Sequence, residues 1–156
     1  AASALRRRAH SGVVVGSVLV AFGGFGTDPS GQGSKRTEAR LNTVAIFDTK
    51  DVDIDGSQFK WVIPSTAGTP PASRQFHSAV VAPTEDNSEC MVLFGGRTNP
   101  SSPLSDVFLL HLGTWTWERL NPQWRGPQQA PAPALYRHSA TFVPLTLSQS
   151  SMRPHH

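Results

Sequence analysis

A single cysteine, Cys90, stands in the chain, which excludes an internal disulfide and weakly favours a reducing, cytoplasmic setting. With no histidine near it in sequence, Cys90 is expected to be a small apolar filler on a strand rather than a reactive thiol. Long hydrophobic runs are missing as well: the longest near the start, Val13 to Phe22, is broken by Gly16 and Ser17 and is too short to span a bilayer. No membrane association is expected. Arg6-Arg7-Arg8 ahead of that run has the outline of a signal peptide, but the run leads straight into a Gly-Gly pair that recurs later. Apolar residues at helical spacing and an Asn-x-Ser/Thr sequon are both lacking. So are Ser-His-Asp, Cys-His and paired-carboxylate arrangements, and we assign no catalytic residue, metal ligand or cofactor to this segment.

The chain does hold repetition. A phrase ending in His-Ser occurs three times, as Arg7-Arg8-Ala9-His10-Ser11, Arg74-Gln75-Phe76-His77-Ser78 and Leu135-Tyr136-Arg137-His138-Ser139. After His10 come Val18-Leu19-Val20-Ala21-Phe22-Gly23-Gly24, a loop, Leu41 to Asp48, and a short run holding Trp61. After His77 the same order returns as Met91-Val92-Leu93-Phe94-Gly95-Gly96, a loop, Leu104 to Leu112, and Trp115-Thr116-Trp117. Short β-branched and aromatic runs separated by Gly, Pro, Asn and Asp read as strands, four to a unit, in an antiparallel sheet. Thirteen glycines and 13 prolines in 156 residues agree with a chain of many turns.

This order resembles the Kelch repeat, over roughly residues 6 to 143. The resemblance implies an all-β, Kelch-type β-propeller segment of two complete four-stranded antiparallel blades plus the first strand of a third. Residues 1–9 then form a basic lead-in, 10–63 blade 1, 77–120 blade 2, 138–143 the first strand of an incomplete blade 3, and 144–156 a disordered tail. Leu135 departs from the pattern where the first two phrases have Arg, and the His-to-His spacings of 67 and 61 exceed the usual period of about 50, which implies inserted loops. Two blades cannot close a ring, so further blades are expected from a longer parent chain. Alternating residues such as Val13, Val15, Val44, Ile46, Val107 and Leu109 should form the layers between blades. His10, Gly23, Gly24, Trp61, Arg74, His77, Gly95, Gly96, Trp117 and His138 are structural repeat positions, with Trp61 and Trp117 expected in the core.

Several local motifs compete with the repeat. Asp51-x-Asp53-x-Asp55-Gly56 matches the opening of a calcium loop, but Val62 stands where the closing Glu is needed, and a hairpin turn is the better reading. Gly31-Gln32-Gly33-Ser34-Lys35 lacks the spacing of a phosphate loop and reads as a flexible insertion. The repeat histidines, spread by symmetry around a ring, are expected to make structural hydrogen bonds rather than to converge on a metal. His155-His156 is too short a ligand set.

Alternation of strand direction sorts the loops onto two edges. Residues 25–40, 64–74, 97–104 and 121–135 share one edge with Arg6, Arg7, Arg8, Lys35, Arg36, Arg40, Arg74, Arg97 and Arg125, while residues 49–58 and 83–89 gather Asp51, Asp53, Asp55, Glu85, Asp86 and Glu89 on the other. Beneath a net charge of +3 lies either a polarised disc that steers anionic partners, or a chance scatter in which Arg7 and Arg74 are structural. Lys35, Arg36, Arg40, Arg97, Trp124 and Arg125 are the candidate binding residues on long loops. An interaction scaffold for a protein partner is the first functional expectation. The second comes from resemblance: Gly95-Gly96-Arg97-Thr98-Asn99-Pro100-Ser101-Ser102-Pro103-Leu104-Ser105-Asp106 and Gly16 to Gly26 look like the Kelch part of the leucine carboxyl methyltransferase-like proteins that make wybutosine in tRNA. That would imply tRNA as a possible partner and an S-adenosylmethionine-dependent catalytic domain outside this chain.

Overall fold

A computed structural model describes residues 6–27, 38–51, 61–122 and 132–144. In chain order the strands are β1 (Arg7–Arg8), β2 (Ser11–Val15), β3 (Val18–Phe22), β4 (Phe25–Thr27), β5 (Glu38–Arg40), β6 (Val44–Asp48) and β7 (Trp61–Val62). They continue as β8 (Ala67–Gly68), β9 (Ser78–Pro83), β10 (Glu89–Phe94), β11 (Arg97–Asn99), β12 (Ser102–Pro103), β13 (Val107–His111) and β14 (Thr116–Leu120). A 3-10 turn at Thr49–Asp51 is the only helical element among the described residues.

Two sheets carry the repeat. The first has the order β2-β3-β6-β7, the second β9-β10-β13-β14, and every pairing within these sets is antiparallel. Their registers coincide. Ser11 opposes Phe22 and Phe22 opposes Val44, just as Ser78 opposes Phe94 and Phe94 opposes Val107. Trp61 opposes Phe47 and Trp117 opposes Leu110, both partners being fourth in their strands, so the two indoles hold equivalent places.

The sheets stack through opposite faces. Val13, Val20, Phe22 and Val44 of the first form one buried cluster with Met91, Leu93, Phe108, Leu110 and Trp117 of the second. Because side chains alternate along a strand, a sheet between two neighbours must use odd positions toward one and even positions toward the other. This corrects part of the expected layer. Val13, Val44 and Ile46 do face the second sheet, but that sheet answers with Phe108 and Leu110, while Val107 and Leu109 are only partly buried, outside the cluster.

Four further features differ from the sequence reading. Trp117 is 4% exposed but Trp61 is 37% exposed: Phe22 covers the first at a ring separation of 4.9 Å, whereas among the described residues the ring beside Trp61 is Phe47 of its own sheet, at 5.5 Å. The second sheet has a fifth strand, β8, paired in parallel with β14; a segment of the connection from the first sheet satisfies groups that β14 would otherwise expose at the edge. The loops after each Gly-Gly are themselves pleated, as β4 with β5 and β11 with β12, and β4 also pairs with β1. Residues 138–144 carry no strand. In each sheet the strand after His-Ser pairs only with the strand that ends at Gly-Gly, and no such partner for 138–144 is among the described residues. The stretch 144–156, apart from residue 144, and the proposed turn at Asp55-Gly56 lie outside the described residues.

Phe22 is fully buried at the seam between the sheets, whereas Val14 is 65% exposed on the opposite side. Replacing Phe22→Ala should lower the unfolding free energy by about 3–5 kcal/mol, through lost transfer energy and a cavity. Val14→Ala should change it by no more than about 0.5 kcal/mol. Urea unfolding of the two variants beside the parent checks the contrast.

Candidate functional site

The repeat phrase Arg-x-x-His-Ser is where one sheet meets the next. Arg74 is fully buried, and its guanidinium holds Asp106 in a two-pronged ion pair at 2.5 and 2.8 Å. It also donates to the carbonyls of Gly95 at 2.9 Å and Ala72 at 3.1 Å. Four of the five N–H donors of the planar fork are thereby used, a role lysine cannot fill. The backbone of the same residue reaches the other unit: the Gly24 N–H donates to the Arg74 carbonyl at 2.8 Å, and the Arg74 N–H donates to the Leu41 carbonyl at 3.1 Å. Leu135, in the third phrase, repeats both bonds with Gly96 and Leu104, at 2.8 and 3.1 Å. The departure from Arg at Leu135 therefore leaves the backbone joint intact.

Glycine is required at this joint. Gly23 and Gly95 have φ of 62° and 65°, and a Cβ on them would lie 2.9 Å from the Arg74 carbonyl and 2.5 Å from the Leu135 carbonyl respectively. Close approach of the next unit's backbone and a left-handed conformation coincide there.

His77 completes the seam. Its Nε2 lies 2.7 Å from Ser11 Oγ and its ring meets Phe22 edge-on at 5.5 Å; His138 stands likewise 2.7 Å from Ser78 Oγ and 5.1 Å from the Phe94 ring. Burial, helped by the positive charge of Arg74, holds His77 down from its ordinary 6.5 to about 3. At neutral pH it is therefore an uncharged hydrogen-bonding group. Among the described residues no group of three or more His, Cys, Asp or Glu side chains could hold a metal.

The loop edge gathers a different set of side chains. The third residue of each phrase, Ala9, Phe76 and Arg137, has φ of 56°, 59° and 57°, and the Phe76 N–H donates to the Ala9 carbonyl and the Arg137 N–H to the Phe76 carbonyl, each at 2.9 Å. This turn lifts the neighbouring side chains onto the edge. Arg97, at the start of the pleated loop after Gly95-Gly96, places its guanidinium 5.0 Å from the Phe76 ring centre and 4.9 Å from that of Tyr136. The Arg137 guanidinium lies 4.6 Å from the Phe76 ring centre. The result is an interleaved stack, Tyr136–Arg97–Phe76–Arg137, in which Tyr136 and Arg137 are exposed and Arg97 and Phe76 half-buried. In the first unit Arg8 sits over Phe25 at 4.6 Å and pairs with Glu38 at 3.1 Å in an exposed bridge.

Of the candidate binding residues, Arg97 thus joins a built surface and Arg40 is half-buried at the end of β5, opposite Phe25. Lys35, Arg36, Trp124 and Arg125 lie outside the described residues. Sequence reasoning overlooked Phe76, Tyr136 and Arg137. The signal was available, since the two variable positions inside Arg-x-x-His must point away from a seam made by the fixed ones. Arg7 and Arg74 are taken up by the scaffold, Arg7 donating to the carbonyls of Thr43 at 3.0 Å and Gly23 at 3.3 Å. On the opposite edge Asp86 is spent on building the turn after β9: it accepts from the Ser88 N–H at 3.2 Å, from Ser88 Oγ at 2.8 Å and from Thr84 Oγ1.

One arrangement outside the joint has the outline of catalysis. Cys90 and His111 are direct cross-strand partners, and His111 Nε2 lies 2.9 Å from Glu118 Oε2. Yet the Cys90 thiol is buried and donates to the Ala82 carbonyl at 3.3 Å, and burial, with the Glu118 charge, pushes its pKa up. A thiol held in the protonated form is a poor nucleophile. The histidine absent from the sequence neighbourhood of Cys90 is present in space, but the cysteine remains a packing residue.

Sheets in this order, joined at Gly-Gly and Arg-x-x-His-Ser, define a Kelch-repeat protein. Residues 9–147 match the family model of the KLHDC2/KLHL20/DRC7 Kelch-repeats domain, and the chain belongs to that family. It is 30% identical over 138 residues to the host cell factor of Drosophila melanogaster and 32% identical over 138 residues to host cell factor 1 of Homo sapiens, covering 88% of this chain in each case. It is also 33% identical over 116 residues, 67% of its length, to tRNA wybutosine-synthesizing protein 4 of Neurospora crassa. The aligned region makes up 8%, 6% and 8% of those three relatives, so the chain spans a small part of each.

Two outcomes test the joint. Arg74→Ala, which strands the mostly buried Asp106 without its cation, should lower the unfolding free energy by about 3–5 kcal/mol in urea titrations. For His77, the folded pKa lies below the unfolded one, so the unfolded chain takes up the proton first. Its stabilising contribution is whole above pH 6.5 and is lost as pH falls toward 3. Unfolding free energy measured across that window should decline by about 1.4 kcal/mol per pH unit on account of this group alone. His77→Gln should flatten the decline by about one proton's worth.

Proposed function

We propose that this Kelch segment is an interaction scaffold whose loop edge receives a protein partner, with the stack Tyr136–Arg97–Phe76–Arg137 as its anchor. The observation that carries the reading is the interleaving itself: two guanidiniums and two aromatic rings, held on turns that the unit joint makes rigid. Tyrosine and arginine offer large contact area at modest entropy cost and dominate the energetics of many interfaces. Each cation–π contact contributes about 0.5–1 kcal/mol at an exposed site, enough to pre-order the side chains before a partner arrives. Acidic groups on the partner suit the two arginines. The family assignment supports a scaffold role, and the long loops at residues 25–40 and 121–135 would extend the same edge.

A second reading places the segment in a tRNA-modifying protein. It rests on the similarity to the Neurospora crassa protein of that name and on the run Gly95 to Asp106. The described part of the loop edge lends it less support, because Arg7 and Arg74 are engaged by the scaffold and Arg8 is paired with Glu38. Phosphate recognition needs several free cations along a backbone.

The readings separate in two measurements on the parent polypeptide. Proximity labelling in cells should recover a set of proteins that falls at least ten-fold in yield with the double variant Arg97→Glu/Tyr136→Ala, at unchanged melting temperature. Filter binding to total tRNA should show no steep dependence on salt. Steep salt-dependent tRNA binding, lost in the same variant, would overturn the scaffold reading in favour of the second.

A further inference from the structure

On its own loop edge the first unit completes an arrangement that the second unit leaves open. Arg8 lies over the Phe25 ring at 4.6 Å, and its two terminal nitrogens hold the two Glu38 oxygens at 3.1 Å each. Glu38 reaches that place from β5, opposite Thr27, the third residue after Gly23-Gly24. In the second unit the residue opposite the third position, Asn99, is Ser102 of β12. Residues 97–105 hold no acidic side chain, and Asp106 is committed to Arg74. Arg97, over the Phe76 and Tyr136 rings, and Arg137, over Phe76, thus have rings but no carboxylate.

Among the described residues neither of these two side chains makes a hydrogen bond or an ion pair, and the Arg97 Nε–H is buried without an acceptor. With rings against its faces, Arg97 offers a visitor the edge of its guanidinium plane. A carboxylate fits that edge through two parallel N–H···O bonds, as Glu38 does on Arg8. The internal pair therefore supplies the choice of anion. Spacing follows from the shared ring. The Arg97 and Arg137 guanidiniums lie 5.0 and 4.6 Å from the Phe76 centre, so they stand no further apart than those two distances laid end to end. In an extended segment alternate side chains leave on one side about 7 Å apart, within that reach, while adjacent ones leave on opposite sides.

We infer, resting on the scaffold reading, that the loop-edge anchor receives an extended acidic segment of the partner protein with carboxylates on alternate residues. One carboxylate closes end-on onto Arg97, next to the Tyr136 ring that covers it. The other meets Arg137. The residue between them points away from the stack and is free to vary, so the anchor reads a spacing of acidic side chains and not acidity as such.

The experiment titrates the whole chain with the blocked peptide Ac-Ala-Glu-Ala-Glu-Ala-NH2, read by NMR shifts of the Tyr136 ring protons, a unique signal because the chain has one tyrosine, and of the Arg97 Nε–H. Ac-Ala-Glu-Glu-Ala-Ala-NH2, of equal charge, and Ac-Ala-Gln-Ala-Glu-Ala-NH2 should each bind at least five-fold more weakly. Arg97→Lys, which keeps the charge and loses the fork, should weaken the probe at least five-fold at unchanged melting temperature. Equal binding of the two di-glutamate peptides, or undiminished binding by Arg97→Lys, would reduce the site to charge attraction and overturn the inference. Tighter binding of the peptide with one phosphoserine in place of the two glutamates would overturn it in favour of a phosphorylated partner, and so would absence of any shift at millimolar probe in favour of none. The scaffold reading is decided separately, by the labelling yield of Arg97→Glu/Tyr136→Ala: if that yield falls while the peptides fail, the acidic segment alone is lost.

Discussion

The joint between successive units is the constraint on which the rest depends. It is made of backbone: a turn N–H of one unit on the carbonyl of Arg74, and the Arg74 N–H on the carbonyl of Leu41. Such a joint works only if the two chains come close, and the absence of a Cβ at Gly23 and Gly95 lets them. Once the backbones are pinned, the sheets have no freedom to slide. Phe22 must then enter between His77 and Trp117, and the register of every strand follows. In the first two phrases the side chains of the Arg, the second His and the Ser are taken up by the scaffold, which leaves the two positions between Arg and His to vary. The loop-edge stack grows from those positions, and the function proposed for it inherits its rigidity from a pair of glycines.

Much of this was legible in the sequence because the repeat writes each strand twice. The runs after the first two His-Ser pairs, before Gly-Gly and around Trp117 fold as strands, and their agreement across two units counted for more than any single propensity. What escaped the reading depended on neighbours. Trp61 and Trp117 look alike in sequence and share a register, yet one is covered and the other is not, since exposure is set by the adjoining sheet rather than by the residue. Cys90 and His111 are 21 positions apart and become direct cross-strand partners only through the pairing of β10 with β13. The short strands β4, β5, β11 and β12 lie in loops rich in glycine, charge and proline, where local propensity argues against pleating and the pairing across the loop overrides it.

Counting charges along the edges also had to yield to the partners those charges keep. Nine basic residues were assigned to one edge from the sequence, but a guanidinium that spends its donors on carbonyls, as Arg7 does, or on Asp106, as Arg74 does, projects little field toward a visitor. Arg8 is offset by Glu38. The acidic edge is discounted in the same way, Asp86 being a turn-building side chain whose carboxylate is held down to about 2 by the hydroxyls and N–H it accepts from. What survives on the described loop edge is less a field than a shape: cations sandwiched by rings, with direction and contact area. Shape of this kind discriminates between partners more finely than charge, which steers all anions alike.

A repeat also offers a way to separate scaffold from function that a unique sequence lacks, because each unit is a control for the other. Where both units carry the same residue, as with the Gly-Gly pairs, the histidines and the serines, the role is explained by the joint. Where they differ at equivalent positions, the joint cannot be the reason. The contrasts Ala21 with Leu93, Ala45 with Phe108 and Thr43 with Asp106 all fall around one cavity, and each shifts it in the same sense, toward more room and more uncompensated positive charge. Drift in one of these positions would be unremarkable in a tolerant surface. Three changes at one place, on the face of the first sheet turned away from the second, mark a spot where the two units meet different packing demands.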